Sequence, residues 1–133
     1  MRLIFKPGDT KTFTKKISEA DTAAFDSGEV HPVYATFALA RDAEWASRLF
    51  VLDMKEDDEE GIGTSISVIH HSPALVGEEI VFETKIIKIE GHEIISSFEA
   101  KVGERLIASG QQGQKILKKD KIEKLFNRIK EGK

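Results

Sequence analysis

The stretch that decides the fold runs from Val33 to Leu52 and reads VYATFALARDAEWASRLFVL. Alanine, leucine and arginine are frequent in it, and neither glycine nor proline interrupts it, so it predicts a helix. At ~1.5 Å per residue the helix would be about 28 Å long, enough to cross a small domain. It is apolar on most sides, which indicates a buried helix. Thr36 and Glu44 lie among these apolar neighbours and need partners, because buried polar groups are costly unless they are hydrogen-bonded.

Length and composition limit the class of protein. The chain has 133 residues, which fits one domain over residues 1–133. The net charge of -3 argues against nucleic-acid binding. The absence of cysteine excludes a disulfide framework, a thiol nucleophile and a thiolate metal site. The segment before Pro7 is too short for a signal peptide, and no apolar run approaches the ~18 residues of a membrane span. We therefore expect a soluble cytoplasmic protein with no membrane or nucleic-acid partner.

The periodicity of the chain predicts one long helix, several strands and a second helix. Turn and strand signals predict a strand at Thr10–Ile17, a short helical turn from Ser18 through Phe25, a break at Asp26–Glu29 and a charged loop at Lys55–Glu60. Period-two patterns predict strands from Ile62 to His71, at Glu79–Glu90, Glu93–Val102 and Arg105–Leu117, with hairpins at Gly91 and Gly103. Apolar residues at helical spacing predict an amphipathic C-terminal helix after Lys118.

Alternation along the first long strand predicts which side chains share a face. One face carries Ile62, Thr64, Ile66, Val68 and His70, and the other carries Gly63, Ser65, Ser67, Ile69 and His71. His70 should therefore point with the apolar residues, and His71 should point away. A strand irregularity nearby would exchange the two histidines.

These elements allow few packings. An antiparallel sheet of about five strands must curl around the central helix to cover its apolar sides, with the C-terminal helix added, which is an α+β architecture. A single curled sheet leaves an open edge and an exposed face. Pairing two copies would cover both, so we expect a homodimer or a dimer of dimers.

Three segments carry a resemblance to a known family: His31–Thr36 (HPVYAT), Glu44–Ala46 (EWA) and Gly63–His70 (GTSISVIH). Together with the order of elements, they resemble the hotdog fold of many acyl-CoA thioesterases and dehydratases. Their spacing is similar to that of the fluoroacetyl-CoA thioesterase-like branch. That branch uses a threonine, a glutamate eight residues later on the helix, and a histidine seven residues after a strand glycine, as this chain has.

The resemblance implies a site and a ligand. The implied catalytic residues are Thr36, Glu44 and His70, and the implied substrate-binding residues are Gly63, Val30 and Tyr34. The substrate would be an acyl-CoA, with CoA entering only as part of the substrate, and no metal or other cofactor would be needed. The site would lie at or near a dimer interface.

Each candidate also has a structural interpretation. Glu44 could be exposed or paired with Arg41 or Arg48 at helical spacing. His70 could be a hydrogen-bonded core histidine, and Thr36 could be a helix N-cap. A straight helix would separate Thr36 from Glu44 by about 12 Å along its axis. Either Thr36 precedes the helix and folds back, or one pocket takes residues from two subunits.

The chemistry that follows is thioester hydrolysis. Free backbone N–H groups at the start of the helix would stabilise the developing oxyanion, and Gly63 would let the substrate approach the backbone. Glu44 would be the nucleophile or the base that activates water. His70 would orient Glu44 or give a proton to the leaving thiolate. Thr36 would be the nucleophile or a hydrogen-bond donor.

Two departures from the family limit the choice of substrate. Fluoroacetyl-specific members carry phenylalanines in a lid where this chain has about Ser27 and Val30, and relatives often carry histidine and arginine where this chain has Gly110–Gln114. We therefore predict a thioesterase for a small or medium acyl-CoA rather than for fluoroacetyl-CoA. The alternatives are a hydratase or dehydratase of acyl thioesters, a non-catalytic acyl-CoA-binding module, and a structural oligomer.

Overall fold

The computed structural model describes residues 1–25 and 28–132, with the side chains of all of these except 24, 25 and 28–31. The strands are β1 (Thr10–Lys16), β2 (Thr22–Phe25), β3 (Gly28–Tyr34), β4 (Glu59–His70), β5 (Glu79–Glu90), β6 (Glu93–Val102) and β7 (Arg105–Lys118), and the helices are α1 (Thr36–Met54) and α2 (Lys119–Lys130).

The main sheet has five antiparallel strands in the order β1-β5-β6-β7-β4. Tight turns at Gly91 and Gly103, with φ of 60° and 59°, join β5 to β6 and β6 to β7. The residues of α1 that are fully buried, among them Leu39, Ala43 and Phe50, pack on the apolar side of this sheet. The prediction of about five antiparallel strands around one long helix is confirmed, and β4 lies at an open edge of the sheet.

The long helix begins at Thr36, not at Val33 as predicted, and ends at Met54 rather than Leu52. Val33 forms an isolated bridge with Leu75, and the Tyr34 N–H donates to the Ala74 carbonyl at 2.8 Å. These hydrogen bonds to a distant loop hold the segment extended, so tertiary pairing overrides helix propensity there.

The predicted helical turn from Ser18 through Phe25 is wrong beyond its first residues. A single 3₁₀ turn covers Glu19–Asp21, and the chain then enters β2, which pairs with β3 as a two-stranded sheet. Ser18 and Asp21 do form a reciprocal capping box. The start signal in the sequence was therefore genuine, but pairing with β3 ends the helix after one turn.

A bulge in β4 decides which side chains face α1. The pairing of β4 with β7 shifts between Gly63 and Ser65, which leaves Thr64 unpaired. Gly63 faces α1 before the bulge, since a Cβ there would meet Glu44, and His70 also faces α1 after it, since it contacts Thr36. Strict alternation had placed Gly63 and His70 on opposite faces, and that prediction is wrong because the extra residue changes the phase.

The amphipathic C-terminal helix is confirmed, but it is not packed into the core. None of the residues of α2 is buried, and Leu125, Phe126 and Ile129 are 44%, 50% and 62% exposed. Among the described residues, no helix has the length and hydropathy of a membrane-spanning segment.

Candidate active site

Thr36 and His70 meet at the start of α1. Thr36 is the first helical residue, and the N-cap position before it is held by Ala35, which provides no side-chain cap. The Thr36 hydroxyl oxygen lies 3.0 Å from Nδ1 of His70, the last residue of β4. The hydroxyl therefore does not cap the helix but forms a nucleophile–base type of contact with an imidazole.

The surroundings of His70 favour its neutral form. Burial lowers the pKa of His70, the backbone of Ser72 offsets part of that effect, and the nearby His71 lowers the pKa further. The Nε2 atom is buried and has no hydrogen-bond partner among the described residues. A neutral ring with an unprotonated Nδ1 can accept the proton of the Thr36 hydroxyl.

Glu44 lies on the same helix, against Gly63 of β4. A Cβ at Gly63 would come within 2.5 Å of Glu44 Oε1, so any larger residue there would displace this carboxylate from its present position. The Glu44 side chain is exposed, in a shallow cleft of about 270 Å³. The cleft is lined by Glu44, Gly63, Thr64, Ser65 and Ile66.

The arginines near Glu44 on the helix have other partners. Arg41 Nη2 lies 2.8 Å from Asp21 Oδ1, and Arg48 Nη2 lies 2.6 Å from Glu60 Oε1. Within the described residues, neither arginine forms an ion pair with Glu44. Of the two structural interpretations of Glu44, the ion pair with Arg41 or Arg48 is therefore wrong, and the exposed side chain is confirmed.

Two buried amide side chains lie behind the cleft. They belong to the Gly110–Gln114 segment, which the sequence analysis noted only because relatives often carry basic residues there. Gln112 and Gln114 are both 2% exposed, and Gln114 Nε2 donates to Gln112 Oε1 at 3.0 Å. A Cβ at Gly63 would lie 4.0 Å from Gln112 Nε2. Neutral amides, rather than cations, therefore lie beside the Glu44 carboxylate.

The two pairs of residues are separated within one protomer. Thr36 and Glu44 are both in α1, which places them about 12 Å apart along the helix axis. Gly63 and His70 are separated along β4 by about 20 Å, at ~3.3 Å per residue with one residue taken up by the bulge. A single copy therefore presents a Thr36–His70 pair at the end of β4, and Glu44 with Gly63 about 20 Å away, in the first half of that strand.

The remaining predicted residues lie at the base of the β2–β3 segment. Tyr34 is 1% exposed, and its hydroxyl donates to Asp42 Oδ2. Burial and this hydrogen bond raise the pKa of Tyr34 well above its ordinary value. The side chain of Val30 lies outside the described residues, as does Ser27.

A charged cluster that the sequence reasoning missed ties this segment to α1. Lys15 Nζ lies 2.9 Å from both Asp21 Oδ1 and Asp42 Oδ2, and Arg41 contacts the same two carboxylates. Burial alone would raise the pKa of Asp21, but hydrogen bonds from the backbone of Ser18, from Lys15 and from Arg41 hold it far below its usual range. The cluster fixes the start of α1, where Thr36 lies.

Asp21→Asn is expected to destabilise the protein at neutral pH by about 2–3 kcal/mol, because Lys15 and Arg41 lose one of two buried partners. Since the folded-state pKa of Asp21 is depressed, its contribution is present above its ordinary value of 3.8 and is lost as the pH falls below it. The free energy of unfolding in urea, measured at pH 7, 3.5 and 2.5, should fall less steeply in Asp21→Asn than in the unmodified protein. Asp58→Asn, which removes an exposed pair with Lys118, is the matched control. Parallel pH profiles for Asp21→Asn and the unmodified protein would contradict this role.

Among the described residues, no group of three His, Asp or Glu side chains is placed to share a metal ion. The site described here therefore consists of a hydroxyl, an imidazole, a carboxylate and a glycine on the edge of a curled sheet.

Comparison with known proteins identifies the family. The family model of the fluoroacetyl-CoA-specific thioesterases (FlK) matches residues 17–120, so the chain belongs to this family. It is similar to TTHA0967 of Thermus thermophilus, a hypothetical protein described as a thioesterase superfamily member, with 36% identity, a TM-score of 0.92 and coverage of 98% of this chain and 96% of that one. The comparison with curated proteins gives no match.

Two more distant structures show the same fold. The fluoroacetyl-CoA thioesterase FlK itself has 20% identity and a TM-score of 0.85, over 93% of this chain and 96% of that one. A hot-dog-like protein from Thermanaerovibrio acidaminovorans has 21% identity and a TM-score of 0.83, over 93% of both chains. The hotdog architecture expected from the sequence is confirmed.

Proposed function

We propose that this protein hydrolyses a small or medium acyl-CoA thioester to the free acid and CoA, and that it does so as a homodimer. The observation that carries the proposal is the Thr36–His70 hydrogen bond, found on the same face of an edge strand as the cleft that holds Glu44. Membership of a thioesterase family supports the reaction class. Solved structures of FlK variants hold acetyl-CoA in one case, and fluoroacetate and CoA in another.

A symmetric pairing of β4 with β4 of a second copy would complete the site. Antiparallel strands related by a two-fold axis place residues of the same face opposite each other. With Ser67 on the axis, Val68 would lie opposite Ile66, and Ile69 opposite Ser65. Because Thr64 is bulged, the next residue, His70, would lie opposite Gly63 of the partner subunit. Glu44 of one copy would then approach the Thr36–His70 pair of the other.

The residues suit a two-step hydrolysis. The Thr36 hydroxyl attacks the thioester carbonyl carbon while its proton passes to Nδ1 of His70. The helix dipole places partial positive charge at the start of α1, where it can stabilise the oxyanion. When the C–S bond breaks, protonated His70 gives its proton to the CoA thiolate. Glu44 of the partner subunit then takes a proton from water while the water oxygen attacks the acyl carbon. As the ester C–O bond breaks, this proton passes to the Thr36 oxygen and regenerates the hydroxyl.

The direct test is release of free thiol. The protein would be incubated with a series of straight-chain acyl-CoAs, and free CoA would be followed with a thiol reagent. Since the chain contains no cysteine, all reactive thiol in the assay comes from CoA. Turnover that disappears in Thr36→Val is expected. Hydration of an enoyl-CoA without thiol release would instead indicate a hydratase, and binding without turnover would indicate a binding module.

The proposed register makes a separate prediction. Ser67→Cys should form a covalent dimer under mild oxidation, because directly opposed residues of antiparallel strands have Cα atoms about 4.5–5.5 Å apart, within disulfide reach. Ser65→Cys is the matched control, since two copies of residue 65 would lie about 13 Å apart along the strand. Non-reducing gel electrophoresis would report both. Crosslinking at residue 65 but not at residue 67 would contradict the register.

A further inference from the structure

The apolar side of α2 is a feature that the proposed reaction does not use. The helix follows β7 without a loop, and its start is fixed to the chain just before β4. The Lys119 N–H donates to the Asp58 carbonyl at 2.8 Å, and Lys118 Nζ lies 2.8 Å from an Asp58 carboxylate oxygen. The helix is therefore held at a defined place although none of its residues is buried.

The apolar side of α2 lies over the outer face of β4. Ile122 and Phe126 line an apolar groove of about 410 Å³ together with Ile62. Ile62 stands between Gly61 and Gly63, which face α1, so it points away from the core. Phe126 remains 50% exposed in this groove. The groove therefore lacks one of its walls within a single copy.

A second exposed apolar residue lies at the other end of the same strand and on the same outer face. Ile69 is 62% exposed. Pairing is regular after the bulge, and Ile69 directly precedes His70, whose side chain faces α1. The Ile69 side chain therefore points away from α1. Its neighbours on that face are Ser67 and His71, so Ile69 is an isolated apolar group among polar ones.

We propose that α2 of each copy covers Ile69 of the partner subunit, so that the two C-terminal helices clasp the dimer from its outer face. The inference rests on the proposed dimer. With Ser67 on the axis, Ile69 of the partner subunit lies opposite Ser65, and His71 of the partner subunit lies opposite Ile62. Cross-strand diagonal neighbours are about 7–8 Å apart, so Ile69 of the partner subunit comes beside Ile62 and the open groove.

The length of α2 fits this position. Twelve residues make a helix of about 18 Å, which equals five to six residues of extended strand. Starting at Asp58, such a helix reaches the level of residues 63–64, beside the partner's Ile69. The two-fold axis makes the contact twice, so both exposed apolar groups on each copy are covered.

The open edge of β4 favours a second copy as the occupant of the groove. Glu60 and Glu123 line the groove together with Lys119, and Arg48 Nη2 lies 2.6 Å from Glu60 Oε1, so its charges are mixed. An unpaired edge strand is a template for a strand of another chain. Pairing β4 with β4 of a second copy covers this edge and places the exposed Ile69 of the partner subunit beside the groove.

Crosslinking between different copies tests the proposal. A tagged Ile69→Cys chain would be mixed with an untagged Phe126→Cys chain, allowed to exchange subunits, and treated with a short bis-maleimide. A crosslinked species of mixed size is expected. Replacing Phe126→Cys by Lys124→Cys, on the opposite side of α2, should abolish it. If Ser67→Cys still forms covalent dimers but no mixed species appears with Phe126→Cys, the clasp is wrong while the dimer stands.

A second measurement does not depend on crosslinking geometry. Phe126→Asp should raise the dimer dissociation constant by about 10- to 100-fold, as loss of a central apolar contact does, while Lys124→Asp leaves it unchanged. Analytical ultracentrifugation would give both constants, and circular dichroism would verify folding. Thiol release by Phe126→Asp should recover as the protein concentration is raised, because no reacting group is changed. An unchanged dissociation constant, or loss of binding to anionic vesicles with the dimer intact, would overturn the proposal.

Discussion

Glu44→Ala and His70→Ala are each expected to lower kcat/KM for acyl-CoA hydrolysis by about 10³-fold, the usual size of the loss when a positioned acid or base is removed. His70 lies 3.0 Å from the Thr36 hydroxyl, and among the residues that the structure describes Glu44 is the only carboxylate lining the cleft beside Gly63. Both side chains are at least partly exposed, so their removal should leave the fold intact. Thiol release on the best acyl-CoA would measure the loss.

Mixing these two inactive variants should restore activity. In a heterodimer of Glu44→Ala with His70→Ala, one composite site has Glu44 from one copy and Thr36 with His70 from the other. The second site lacks both groups. Random exchange between equal amounts of the two variants makes half of the dimers mixed. Each mixed dimer has one intact site out of two, so about one quarter of full activity should return. No other simple arrangement of the site gives this result.

The matched control uses the same variants. Thr36→Val and His70→Ala remove two groups that lie in contact within one copy. Their heterodimer has no intact site, so mixing them should restore nothing, whereas Thr36→Val mixed with Glu44→Ala should recover. If Glu44→Ala and His70→Ala fail to complement although subunits exchange, the site lies within one protomer, and the symmetric pairing of β4 is not the functional one.

The sequence predicted the architecture because its signals there were local and repeated. An uninterrupted apolar helix and three strands joined by glycine turns left few ways to pack, and the structure has that arrangement. The start of α1 was predicted three residues too early. Nothing within the segment shows that Val33 and Tyr34 pair with a loop some forty residues away, at Ala74 and Leu75. Such a contact is visible only once the chain is folded.

The site was harder to predict because one extra residue in β4 changes its geometry. Alternation placed Gly63 and His70 on opposite faces, and the bulge at Thr64 places both toward α1. Period two is a reliable guide only while the pairing stays regular. In the proposed dimer the same bulge brings His70 opposite Gly63 of the partner subunit, with both facing α1. The irregularity that made the sequence prediction wrong is therefore central to the proposed chemistry.

The charged cluster at the start of α1 was missed for a different reason. Asp42 and Arg41 lie in the same helix as Glu44, and spacing alone suggested that Arg41 would pair with Glu44. Arg41 instead pairs with Asp21, which is distant in sequence. The Asp21 carboxylate is largely buried and binds a guanidinium more strongly than the exposed Glu44 carboxylate does. The signal that could have revealed it was Asp42 itself, an acid on the side of α1 that carries Ala38 and Leu49.

Gly110→Ala is expected to cause the largest loss of stability among the glycine-to-alanine changes in the main sheet, about 3 kcal/mol or more. A Cβ at Gly110 would lie 1.9 Å from the backbone oxygen of Ser67 and 2.9 Å from Cε1 of Phe98. The Phe98 ring is buried and the Ser67 oxygen belongs to the neighbouring strand, so neither can move without displacing β4 or the core. Urea unfolding followed by circular dichroism would give the change in free energy.

Gly113→Ala, three residues later on the same strand, is the matched control. Its Cβ would meet the side-chain oxygens of Ser65 and Thr64 at 2.7 Å, and these can rotate away. The reduced entropy of the unfolded chain is the same in both variants and stabilises each by about 0.4–1 kcal/mol, so the difference between them isolates the backbone clash. The methyl group of Gly110→Ala would displace Ser67, the residue proposed to lie on the two-fold axis. This variant should therefore also weaken dimerisation and thiol release in parallel, whereas Gly113→Ala should weaken neither. Equal stability of the two variants would mean that β4 can move away from β7 at little cost, and then the edge strand could not hold Glu44 and His70 in a fixed register across a dimer.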